Sequence, residues 1–98
     1  MIKQILSETI INQYMPVLKK CPLFKGLDTP ELKSYLQNAK VIIQSYKKND
    51  FIAISGDSME GIGVILEGSA MLTRENVLGQ RVIMANLESS AMFGEALL

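Results

Sequence analysis

The sequence contains no histidine and a single cysteine, Cys21. Without histidine the chain lacks the commonest metal ligand, the usual general base and the usual haem ligand. Hydrolase triads and iron–sulfur cassettes are excluded on inventory alone, the first for want of an imidazole and the second for want of thiolates. A lone cysteine rules out an intramolecular disulfide and fits a reducing cytoplasm. Set between Lys20 and Pro22, Cys21 has two readings, a low-pKa thiol or a small apolar filler, and the filler is the commoner role.

A surplus of either charge is also missing: ten basic residues balance ten acidic ones. The basic residues are scattered, the closest pairs being Lys19-Lys20 and Lys47-Lys48, so these residues carry no nucleic-acid footprint. Lys47-Lys48 precedes Asn49-Asp50 and reads as a solvated turn between two strands. Long hydrophobic runs are absent as well. Lys3, Glu8, Asn12 and Gln13 interrupt the amino-terminal stretch, so no secretory signal is visible in it, and no stretch approaches membrane-spanning length. A soluble, cytoplasmic chain without a membrane partner is expected. At 98 residues, 48% hydrophobic and 20% charged, it has the make-up of one small globular domain, of modest stability unless it dimerises or docks onto a further segment.

What is present changes character near residue 40. Ile2, Ile5, Leu6, Ile10 and Tyr14 fall near helical spacing with polar residues between them, which predicts an amphipathic helix over 2–14. Packing against the domain or a partner subunit is favoured over a membrane surface, which would want more Lys and Arg on the polar face. Pro16 suits the first turn of a second short helix through Lys20, and Pro22 stops it. Leu23, Phe24 and Leu27 are apolar anchors around a turn at Gly26. Thr29 before Pro30 and Glu31 predicts a further helix, with the hydroxyl as cap, whose buried face is Leu32, Tyr35, Leu36 and Ala39. From Val41 onward, short β-rich segments alternate with turn residues about every ten positions. That spacing predicts an all-β sandwich or barrel with strands at 41–46, 51–54, 62–67, 70–74 and 81–87. Asn76 to Gly79 reads as a hairpin loop in which Gly79 supplies a positive φ.

The order of these pieces resembles the amino-terminal sensor domain of the CRP/FNR family of transcriptional regulators. The resemblance runs from about Leu18 to Leu98. Leu23-Phe24-Lys25-Gly26-Leu27 looks like the family's opening motif, Gly56-Asp57 like its first barrel turn, and Ile65-Leu66-Glu67-Gly68-Ser69 like its strand-ending glycine turn. Phe93-Gly94-Glu95 looks like the start of the phosphate-binding cassette, with Ala96 next. The fold so implied is mainly β with flanking helices: amino-terminal helices over 1–40, then the jelly-roll portion of a cyclic-nucleotide-binding-like domain over 41–98. That double-stranded β-helix is expected to be incomplete at its C-terminus, as in a piece of a longer regulator. Gly56, Gly68 and Gly79 are its structural turn glycines.

By the same resemblance the cassette's backbone amides and Glu95 would meet a cyclic phosphate and a ribose hydroxyl. The sequence departs from the nucleotide-binding pattern after Glu95, where Ala96-Leu97-Leu98 displaces the small residue and no arginine follows. Arg74 and Arg81 flank the hairpin loop, where solvated strand ends are the simpler reading. A purely structural role for Phe93, Gly94 and Glu95, a different effector, and a cyclic nucleotide therefore all stay open; no other cofactor and no metal are expected. The resemblance implies a small-molecule effector, a homodimer, and DNA binding only through a helix-turn-helix domain outside these residues. A cyclic-nucleotide-binding module acting on a non-DNA-binding partner is the alternative. An enzyme is not expected: a cupin-like jelly roll would need a histidine and carboxylate cluster.

Overall fold

A computed structural model describes residues 2–5, 7–53 and 61–94. Along these residues run strand β1 (Ile2–Ile5), helix α1 (Glu8–Lys20), a 3-10 turn (Pro22–Phe24) and helix α2 (Thr29–Asn38). Strands β2 (Ile42–Ser45), β3 (Gly63–Val64), β4 (Ala70–Glu75), β5 (Arg81–Leu87) and β6 (Met92–Phe93) follow.

Residues 2–5 overturn the helix expected over 2–14. They pair antiparallel with β2, from Ile2 opposite Ser45 to Ile5 opposite Ile42. Ser7 sets the boundary: its hydroxyl accepts the Ile10 N–H at 3.2 Å, making it the N-cap, and Glu8 stands in the positively polarised first turn. Upstream of a cap the backbone is released from the helix, and β2 offers it a ladder for its amides and carbonyls.

Helix α1 also departs from expectation, because Pro16 lies inside one continuous helix rather than opening a second. An interior proline lacks the N–H for the carbonyl four residues back and costs about 3 kcal/mol. Ile11, Met15 and Leu18 are all buried and form a stripe that runs straight past Pro16. Burial stabilises by roughly 1.5–3 kcal/mol per such side chain, so the stripe outweighs the break. Asn12 and Pro16 are both exposed, which leaves the unpartnered carbonyl on the watered side.

The cap of α2 is Asp28, one residue before the expected Thr29. The Glu31 N–H donates to the Asp28 carboxylate at 2.8 Å and the Asp28 N–H donates to the Glu31 carboxylate at 3.2 Å, a capping box. Thr29, displaced into the first turn, accepts from Lys19 Nζ at 3.0 Å and ties the two helices together. Leu32 and Leu36 are buried, but Tyr35 is 56% exposed, so the buried face is narrower than the spacing suggests; the Tyr35 ring meets Phe24 edge-on instead.

The described strands form a β-rich arrangement of three two-stranded antiparallel sheets, β1–β2, β3–β6 and β4–β5. The strand expected over 62–67 is confined to Gly63–Val64, though its pairing runs on: the Ile65 N–H donates to the Ala91 carbonyl at 2.9 Å and the Ser90 N–H to the Ile65 carbonyl at 2.8 Å. Residues 51–53 are not strand; Ile54 lies outside the described residues. The turn expected at 47–50 forms, with the Asp50 N–H on the Lys47 carbonyl and the Lys47 N–H on the Asp50 carboxylate. Strands β4 and β5 form the expected hairpin, with a register shift between Leu72 and Thr73.

One core joins these elements. Ile11, Met15, Leu18, Cys21, Phe24, Leu32 and Leu36 cluster between the helices, and Val64, Leu66 and Met92 pack onto them from the β3–β6 side. Cys21, 1% exposed, fills a gap in that core. The helices therefore brace the sheet that carries Phe93.

Candidate functional site

Phe93 ends β6 and faces Gly63 directly across the β3–β6 ladder. The glycine is needed for space: a Cβ built at Gly63 would overlap the Phe93 ring at Cζ and both Cε atoms. The next residue, Gly94, has φ +90°, a left-handed conformation that a side chain strongly disfavours. The strand thus ends on a residue without a side chain, in a conformation that breaks the strand. Glu95, Ala96 and Gly56 lie outside the described residues. Gly68 and Gly79 sit at φ +80° and +78°, the first between Glu67 and the approach to β4, the second in the hairpin loop.

The approach to β6 is a tight structure in its own right. The Ala91 N–H donates to the Glu88 carbonyl at 2.9 Å, Ser90 adopts φ +75°, and the C-terminal end of this turn, the Ser90 N–H and the Ala91 carbonyl, is held by Ile65, which is buried. Helix α1 reaches the neighbouring turn through Tyr14. Burial, reinforced by the Glu67 carboxylate as a nearby charge and acceptor, pushes the Tyr14 hydroxyl above its ordinary pKa.

Gly94, Phe93, Arg74 and Arg81 line one broad concavity of about 2700 Å³. Small-molecule sites run at roughly 300–1,000 Å³, so shared lining does not bring the arginines to the Gly94 turn. Arg81 lies over the ring of Phe51, 5.7 Å from its centroid, a cation–π contact that occupies its guanidinium. Among the described residues no cluster of three His, Cys, Asp or Glu is placed to hold a metal.

Sequence reasoning placed Phe93 and Gly94 in the site and missed Gly63. The signal was there: an isolated glycine inside an apolar strand run marks a close approach of another group.

With this geometry in view, residues 43–98 match the cyclic nucleotide-binding domain family, a stretch covering more than half of the 98 residues. The chain belongs to the cyclic nucleotide-binding domain family. No curated protein and no solved structure matches it. The matched stretch starts inside β2 and takes in the β3–β6 and β4–β5 sheets, so the Phe93–Gly94 turn falls within the cyclic nucleotide-binding domain, while both helices precede it. A domain of this family is a ligand-sensing regulatory module. Among the described residues no helix is long and apolar enough to cross a membrane.

Proposed function

We propose that this chain is the effector-sensing domain of a CRP/FNR-type transcriptional regulator, in which a jelly roll completed around these strands binds a small molecule and biases DNA binding by a downstream helix-turn-helix. The observation that supports it most is the left-handed Gly94 at the exit of β6, inside the cyclic nucleotide-binding match. A glycine turn ending a strand lets main-chain amides approach an anionic ligand closely, and Glu95 beside it supplies an acceptor for a ligand hydroxyl. In this reading the domain acts as one half of a two-state cytoplasmic homodimer, and a ligand shifts the population only by its differential affinity for the two states. Binding, not catalysis, is its task; the lack of histidine and the burial of the one thiol support that.

Calorimetric titration of the protein carrying this chain with cyclic AMP and cyclic GMP tests the reading. Micromolar binding that weakens by about 1.5–3 kcal/mol in Glu95→Ala, the worth of a charged hydrogen bond, supports a nucleotide site built on Gly94 and Glu95. Absence of both heat and thermal stabilisation with either nucleotide excludes them as effectors, and an unchanged affinity in the variant removes Glu95 from the site.

A further inference from the structure

We infer that Gly63 is a positioning residue for the ligand turn: it seats the ring of Phe93 and through that ring sets the backbone at Gly94. This deepens the ligand-binding reading of the turn and rests on it. Gly63 and Phe93 are direct cross-strand partners, a relation in which two side chains would stand about 4.5–5.5 Å apart at Cβ. Here only one of the pair has a side chain, and its ring occupies the place where the other's Cβ would be.

Backbone conformation does not explain the glycine. Gly26, Gly68, Gly79 and Gly94 have positive φ and Gly63 does not, so residue 63 is glycine for the room it leaves. An aromatic ring covering a strand glycine protects backbone that would otherwise lie bare and pins the register of the pair.

The pinning matters because, among the described residues, core packing holds β6 through Met92 and leaves the Phe93 end to its partner strand. The β3–β6 ladder is two residue pairs long. Its extension, the pair of hydrogen bonds between Ile65 and the Ser90–Ala91 turn, lies on the side away from Gly94. On the Gly94 side the seat of the Phe93 ring is the adjoining constraint, and Gly94 follows Phe93 directly. A ring pushed off Gly63 therefore pulls on Gly94, whose left-handed φ sets the direction in which the chain leaves the strand.

The test compares Gly63→Ala, Phe93→Leu and the double variant in the protein carrying this chain, by NMR without ligand and by titration with cyclic AMP. Wild type should show nuclear Overhauser contacts between the Phe93 ring protons and Gly63 Hα. Gly63→Ala should shift the Gly94 amide resonance and weaken cyclic AMP binding about tenfold, in line with overpacking a filled site. Adding Phe93→Leu, which makes room for the new methyl, should bring both back toward wild type. A Gly94 amide that ignores Gly63→Ala, or a double variant that recovers neither property, overturns the inference. Should Gly63→Ala fail to fold, the wild-type contact between the Phe93 ring and Gly63 Hα decides, since its absence overturns the inference. If wild type binds no cyclic AMP, the nucleotide reading fails by itself, and the Gly94 resonance still decides the role of Gly63.

Discussion

At the scale of single residues, the chain links its helical half to its β half through Tyr14 and Glu67. Tyr14 belongs to α1 and packs against the core, and Glu67 immediately precedes the Gly68 turn. Burial and the facing carboxylate both favour the neutral phenol, so the folded-state pKa is raised. A raised pKa means that the folded state holds its proton longer than the unfolded chain, whose tyrosine ionises near pH 10. The contribution is therefore fully present below about pH 10 and is lost as pH climbs through the folded-state value. Denaturant unfolding across that range should show wild type losing stability more steeply than Tyr14→Phe, with Glu67→Gln in between. Parallel curves for wild type and Tyr14→Phe would show that the hydroxyl does not feel Glu67.

At the scale of elements, Pro16 separates what local rules predict from what packing imposes. In α1 the proline is tolerated because Ile11, Met15 and Leu18 need one unbroken helix to reach the core together. Pro16→Ala restores the missing N–H at an exposed position and removes the clash with the preceding turn, so it should stabilise the fold by about 1–3 kcal/mol. An unchanged or lower midpoint in thermal and urea unfolding would mean that α1 has adapted fully around the proline. The same contest explains what was legible beforehand. Elements closed by local chemistry read correctly, apart from a one-residue shift of the cap from Thr29 to Asp28: α2, the β4–β5 hairpin around Asn76 and Gly79, the turn at Lys47–Asp50. In the hairpin loop the Asn76 side chain accepts from the Leu78 and Gln80 amides, a local pattern that asparagine favours. Elements closed by distant partners did not. Ile2–Ile5 carries a helical spacing but finds its ladder some forty residues away, and Met92–Phe93 becomes strand only because Gly63–Val64 lies alongside. At the candidate site, Gly94 was legible from its motif, whereas Gly63 acquires its meaning only from a ring thirty residues later in the chain.

At the scale of the whole molecule, burial is distributed unevenly. The core gathers α1, the 3-10 turn, α2 and the packed side chains of β3 and β6, and no residue of β4 or β5 belongs to it among the described residues. The hairpin instead presents apolar side chains to solvent: Met71, Leu72, Ile83 and Met84 are more than half exposed, and Val77 at its tip is wholly so. An isolated two-stranded hairpin is marginal in water, and segments with few buried contacts open locally at a lower free energy than the global unfolding. Native-state hydrogen exchange should therefore separate two tiers, with β4–β5 amides exchanging through local opening and α1 and α2 amides only through global unfolding. Substitution should divide the same way. Leu32→Ala, at a side chain with no exposure, should cost about 2–5 kcal/mol, whereas Leu72→Ala should cost well under about 1 kcal/mol because little surface is withdrawn from water there. If hairpin amides instead exchange at the global free energy, or Leu72→Ala proves as damaging as Leu32→Ala, then β4–β5 is held by something that covers its apolar side chains in solution. In that case the hairpin would be part of one cooperative unit with the ligand turn; otherwise it can open while the braced β3–β6 sheet keeps Gly94 in place.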